Sequence, residues 1–223
     1  MRRYPAPVLP LPDRHQARRR LPRLLLGLVL CGAGVAGMVR ARLGLGPWDV
    51  FHQGLADRTG IAIGTVSILV GFLVLLAWIP LHRGTSLALG VGTLSNIVVI
   101  GLVIDVILAV SPDPTSTPLR WALMLAGPVL VGVGCGFYVG AGLGPGPRDG
   151  VMTGLAGHGV PTWIARTGIE LTALLAGWLL GGTVGIGTVW FAVAIGPVVH
   201  LALAHLTIDP DDHVERITVV SGE

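Results

Sequence analysis

Two stretches decide how this chain is read: GLGPWDVFHQGLA at residues 44–56 and GLGPGPRDGVMTGLA at residues 142–156. Both open Gly-Leu-Gly-Pro, carry an acid soon afterwards (Asp49, Asp149) and close Gly-Leu-Ala. Proline cannot continue a helix and glycine admits tight or left-handed backbone, so each stretch predicts a sharp stop. The residues that follow, 50–56 and 150–156, suit short interfacial or re-entrant helices with Asp49 and Asp149 as N-caps. The repetition runs further. Gly34-Val35 aligns with Gly132-Val133, Trp78 with Trp178, and residues 91–101 with residues 186–196; four residues beyond each of the last pair stand Asp105 and His200.

Composition states the solvent. Of 223 residues 52% are hydrophobic and 12% charged, with mean hydropathy +0.77, whereas soluble domains carry about 25% charged residues. Long uncharged runs lie at 24–39, 61–81, 87–104 (continuing past Asp105 to 110), 121–139, 161–180 and 184–206. A helix needs about 20 residues to cross the hydrocarbon core, so the expectation is an all-α polytopic membrane protein with six transmembrane helices. Each half then holds three crossings. An odd number inserts the second copy upside down, which predicts two inverted three-helix repeats, residues 21–111 and 119–207. A disordered basic tail at 1–20 and an acidic tail at 208–223 flank them.

All fifteen basic residues are arginine. Seven precede residue 24, and positive charge near a span marks the cytoplasmic side. With both termini inside, the inner segments outnumber the outer ones ten arginines to four; Arg40, Arg42, Arg58 and Arg120 are the four that disagree. An export signal is a poor reading, because five more apolar runs follow the first. Nucleic acid is excluded as a partner, since the charge sits at membrane boundaries.

GLGPWDVFHQGLA, the paired GVGTLSNIVVIG (90–101) and GIGTVWFAVAIG (185–196), and RTGIELTALLAGWLLGG (166–182) resemble the YczE-like branch of the YitT group of bacterial integral membrane proteins. The resemblance covers roughly residues 24–206. It implies a protein of the bacterial inner membrane, of a kind often labelled a transporter, with no catalytic residues to carry over.

The remaining signals are polar residues at depth. Arg166 and Glu170 lie one turn apart on one helix face, where burial in lipid requires that they pair or face water. Thr162 extends that row. Thr93, Asn96 and Asp105 on one span, with Thr188 and His200 on the matching one, are candidates for the same pathway. Trp48, Asp49, His52, Arg148 and Asp149 are expected at two entrance loops on opposite faces. The glycines at 132, 136, 140 and 144 form a packing ridge. Cys31 and Cys135 are expected at different depths as packing residues. No serine has the surroundings of a nucleophile and no histidine pairs with acids at metal-ligand spacing. The chain is therefore expected not to be an enzyme and to take no cofactor or metal. Its expected partners are the lipid bilayer and a small solute or proton, with a homodimer compatible with its size. Two function classes fit: a small secondary transporter or exporter, and a membrane scaffold or regulator that supports an enzyme.

Overall fold

The computed structural model describes residues 14–81, 90–144 and 146–207, and among these the only regular structure is helical. Eight helices follow in order: α1 Arg14–Ala41, α2 Pro47–Thr59, α3 Ile63–Leu81, α4 Val91–Val110, α5 Thr117–Gly140, α6 Pro147–Gly157, α7 Thr162–Leu179 and α8 Ile186–Leu206. Helices α1, α4, α5 and α8 are long and apolar enough to cross a bilayer; α2 and α3, bent by 115° at a short break, pass the same test together. Among the described residues, which for α3 means residues 63–78, length and apolarity thus return four or five spans where six were expected. The shortfall has a chemical cause, because α7 carries Arg166 and Glu170 within its 18 residues. The two Gly-Pro stretches open the short helices α2 and α6, as expected. Most of both tails, at 1–13 and 208–223, and residues 82–89 with Arg83 lie outside the described residues.

Sequence chemistry sets the helix ends. Proline begins α2, where its missing N–H and fixed φ cost nothing, and Gly60 ends it in the left-handed region, φ 72°, its N–H donating to the Ala56 carbonyl. Many large aliphatic side chains are exposed on the outer faces of the apolar helices, and glycines stand at the tightest contacts between helices. The centre is the crossing of α1 and α5. A Cβ on Gly27 would lie 2.5 Å from the Gly134 carbonyl oxygen, and one on Gly34 would lie 2.7 Å from that of Gly127. Only backbone fits at both contacts. The glycine ridge of α5 turns to α8 instead: Gly132 meets Val198, Gly136 meets Ala202 and Gly140 meets Leu206, the close approach that small residues allow in lipid.

Contacts of the first half recur in the second. Gly32 meets Val103 of α4 as Gly132 meets Val198 of α8. Helix α2 packs across the halves on α7 and α6 packs on α3: the backbone of Val50 and Phe51 abuts Gly177, while Gly150 sits under the buried Trp78 ring. The loops match as well. Arg42 and Gly142 are left-handed at φ 54° and 64°, and Gly44 and Gly144 stand at φ 114° and 126°. The Gly187 N–H donates to Leu43 O at 2.8 Å, and the Gly92 N–H donates to Leu143 O at 2.9 Å. Gly46-Pro47 therefore corresponds to Gly146-Pro147, two residues later than the shared Gly-Leu-Gly-Pro suggests. Backbone shape, which needs a left-handed pair before the proline, overrides the letter match.

One contact does not recur. Asp105 of α4 accepts the Gly64 N–H at 2.7 Å and the Thr65 hydroxyl at 2.8 Å, so it caps the first turn of α3 from the neighbouring helix. Helix α7, the counterpart of α3, does not pack on α8 in this way. Replacing Asp105 by Leu is expected to cost about 1–2 kcal/mol, the range for a lost N-cap. Thermal unfolding in detergent should show a lower midpoint for Asp105→Leu and a smaller drop for Asp105→Asn; an unchanged midpoint in both would contradict the capping role.

Candidate functional site at the meeting of two short helices

Helices α2 and α6 each start at the proline of a Gly-Pro pair, and their first turns meet. Trp48 and Arg148 hold matched positions, one residue after the proline, and they touch: the guanidinium carbon of Arg148 lies 4.7 Å from the centre of a Trp48 ring. An aromatic face attracts a cation most strongly where water is scarce. The two stretches expected at opposite faces are thus brought together. Arg148 forms no ion pair among the described residues. The Trp48 Nε1 is buried and has no hydrogen-bond partner among the described residues.

Around this contact the two halves differ. Asp49 is 7% exposed and its Oδ1 lies 3.7 Å from Nδ1 of His52, one turn along α2 and 2% exposed. The His52 ring stands 6.3 Å from those of both Trp48 and Phe51. Asp149 holds the same place in α6 and is exposed. Its carboxylate accepts from the Gly146 N–H and the Tyr138 hydroxyl, and it feels Arg148 and Arg166 as its nearest cations. Neither acid is the N-cap that the sequence suggested; the cap of α2 is Gly46, and the acids stand two residues into the helices, where they face the positive end of the helix dipole. The site thus sets a buried acid–imidazole pair, Asp49 with His52, beside a half-buried guanidinium, Arg148, under the Trp48 ring.

The other candidate residues are dispersed. Thr93 and Thr188 are buried at the starts of α4 and α8, pressed against Gly144 and Gly44 respectively, so they pin the two loops at opposite ends of the bundle. Asn96 lies beside Gly146, and Asp105 is committed to α3. Thr162 begins α7 and is exposed, as is His200 on α8. Arg166 and Glu170 do pair, Nε to Oε1 at 3.1 Å, but their side chains are 58% and 36% exposed, against the expectation of a pair buried together. Cys31 and Cys135, expected at different depths, share one cluster with Leu24, Leu28 and Tyr138, because the α1–α5 crossing brings them level. Tyr138 and the central place of Arg148 were missed; the second Gly-Pro, read in its structural register, was the available signal.

A surface cavity of about 490 Å³ lies over the second half of α2, lined by Val39, Gln53, Ala56, Asp57 and Ile63. It stops short of Asp49 and His52, which stay buried.

Comparison with known proteins agrees with a membrane identity. The chain is 40% identical over 181 residues to an uncharacterized protein of Haemophilus influenzae, covering 81% of each. It is 36% identical over 181 residues to the uncharacterized membrane protein YczE of Bacillus subtilis, covering 79% of this chain and 82% of that one. A second B. subtilis protein, YyaS, is 23% identical over 180 residues, 79% of this chain and 88% of its own. No solved structure matches. Residues 18–203 match DUF6198, described as a family of unknown function. This multi-pass membrane protein, YczE-like as its Gly-Pro and Gly-Thr motifs suggested, belongs to the DUF6198 family.

Proposed function

We propose that the protein is a secondary transporter of a small charged solute in the bacterial inner membrane, built from two inverted repeats, α1–α4 and α5–α8. Its termini are cytoplasmic and the Arg40 end of the bundle faces outward. Six crossings, α1, α3, α4, α5, α7 and α8, enclose the short helices α2 and α6, which enter from opposite faces. The observation that carries the reading is the contact of Trp48 with Arg148, both half-buried, where two short helices from different halves bring their N-terminal turns together. Transporters with inverted repeats bind substrate where discontinuous helices meet. A charge held within the membrane is functional by default. A scaffold has less need of it, since a filled apolar core would be more stable.

Arg148 is the residue for an anionic group, because guanidinium keeps its charge at any working pH and offers forked donors. The test is flux into proteoliposomes, with and without a proton gradient, across a panel of amino acids, organic acids and amines. The wild-type protein is expected to move at least one class. Arg148→Gln is expected to lower that flux at least tenfold while eluting as folded protein on size exclusion. Wild-type flux no greater than that of empty liposomes for every class tested would overturn the reading.

A further inference from the structure

The two halves share their helix order and their loop contacts, and several of their differences fall on one path. On the first side, α3 lies against α4. Gly64 and Gly101 meet backbone to backbone, a Cβ on Gly101 would strike Ile68, and Asp105 fastens the N-terminus of α3. The corresponding positions of α7 and α8 are Ile164, Gly196, Gly168 and His200. Among the described residues a Cβ on Gly168 or on Gly196 would meet nothing within 4 Å, and His200 is exposed. Asp49, at the end of the path that belongs to the first side, is buried; Asp149, at the end of the other, is exposed.

We infer that α7 is a gate: its separation from α8 is the path by which one face of the membrane reaches Asp149, and closure onto α8 shuts it. The inference rests on the transporter reading for its purpose and on geometry for its existence. The physical cause of the asymmetry is a pair of exchanges, Asp105 against His200 and Thr65 against Ala165. A carboxylate at position 105 accepts two hydrogen bonds at once and so holds α3 by its first turn. Imidazole has no second acceptor of that kind, and the position matching Thr65 is Ala165, which has no hydroxyl to give. Helix α7 is left without the fastening. What it presents in consequence is polar: Thr162, Arg166 and Glu170 are on its accessible surface, and Arg166 acts on Asp149 from there. Ionised side chains within a membrane face water or one another, which suits a wall of a hydrated cleft and not a lipid contact.

The test uses the full chain carrying Cys31→Ala and Cys135→Ala in native membranes. A Cβ on Gly71 would lie 3.5 Å from the Cβ of Ile97, within the range for a disulfide, so Gly71→Cys with Ile97→Cys reports the fastened side. Leu171→Cys with Ala192→Cys holds the matching places on α7 and α8. The first pair is expected to bridge at once under mild oxidation and the second at least tenfold more slowly, as α7 swings in. An impermeant maleimide should label Asp149→Cys from one membrane face, and bridging the second pair in the same chain should slow that labelling at least tenfold, with reduction restoring it. Equal bridging rates would remove the cleft. No bridging of the second pair in a well-expressed protein would remove the closure. Bridging that leaves the labelling unchanged would remove the path. Flux enters none of these readouts, so a gated cleft in a protein that moves no solute would sink the transporter reading alone.

Discussion

Gly134→Leu is expected to prevent accumulation of folded protein. A Cβ at this position would sit 2.5 Å from the Gly27 carbonyl oxygen, 2.7 Å from the Cys31 Sγ and 2.9 Å from the Cys31 nitrogen. Two of these are backbone atoms of a facing helix, which cannot turn aside as a side chain can, so relief requires α1 and α5 to separate. That crossing carries the bundle: α4 lies on α1 and α8 lies on α5. In lipid, separation is costly because tight packing, and not exclusion of water, is what holds helices together. The cost is expected to exceed about 4 kcal/mol, the level at which single substitutions become exceptional. Gly27→Leu, its counterpart across the crossing, should behave alike. Gly196→Leu, where no neighbour lies within 4 Å, should be recovered near the wild-type level. Fluorescence-detected size exclusion of tagged variants would measure all three, and a normal peak for both Gly134→Leu and Gly27→Leu would refute the crossing as described.

Arg40→Ala is expected to be the most damaging removal of a charge. The guanidinium of Arg40 donates to the Ser111 carbonyl at 2.6 Å, the Ser111 hydroxyl at 3.2 Å, Asp113 at 2.5 Å and the Leu108 carbonyl, so one side chain satisfies the frayed end of α4. It does so while only 21% exposed. Its loss would leave carbonyls without donors at a cost on the order of 3 kcal/mol. For a chain of this size that is a drop of roughly 6–12 °C in the unfolding midpoint. Arg40→Lys should recover little, since an ammonium cannot replace a planar fork. Arg42 shares Asp113 but is 64% exposed, so Arg42→Ala should change stability by less than about 1 kcal/mol. Thermal scans of purified protein in detergent decide it, and equal midpoints for Arg40→Ala and Arg42→Ala would contradict this account.

Arg40 also shows why a charge count and a structure answer different questions. Arg40, Arg42, Arg58 and Arg120 were the four arginines placed outside by the expected orientation. Three of them serve helix ends: Arg40 serves α4, Arg58 donates to Leu180 O just past α7, and Arg120 donates to Ala41 O at the end of α1. All three helices finish at the same end of the bundle, where their carbonyls and negative dipole ends attract cations. These charges are committed to local structure, which a count of loop arginines treats as free.

What the sequence by itself determined was the solvent, the helical class and the repetition, because hydropathy and a proline after glycine act over one helix length. The short helices following Gly46-Pro47 and Gly146-Pro147 were legible for that reason, and so was the pairing of Arg166 with Glu170, which needs only the pitch of α7. Tertiary structure alone decided the rest. Trp48 and Arg148 meet because α2 packs on α7 and α6 on α3, each across to the opposite half, a fact of three dimensions. Cys31 and Cys135 come level because α1 and α5 cross at glycines. The register of the repeat followed left-handed backbone at Arg42 and Gly142, where letters pointed two residues away. Asp105 and His200 stood at corresponding places of the repeat and were candidates for one pathway; packing made the first a fastening and left the second exposed, because a hydrogen-bonded cap depends on what the neighbouring helix brings within 3 Å.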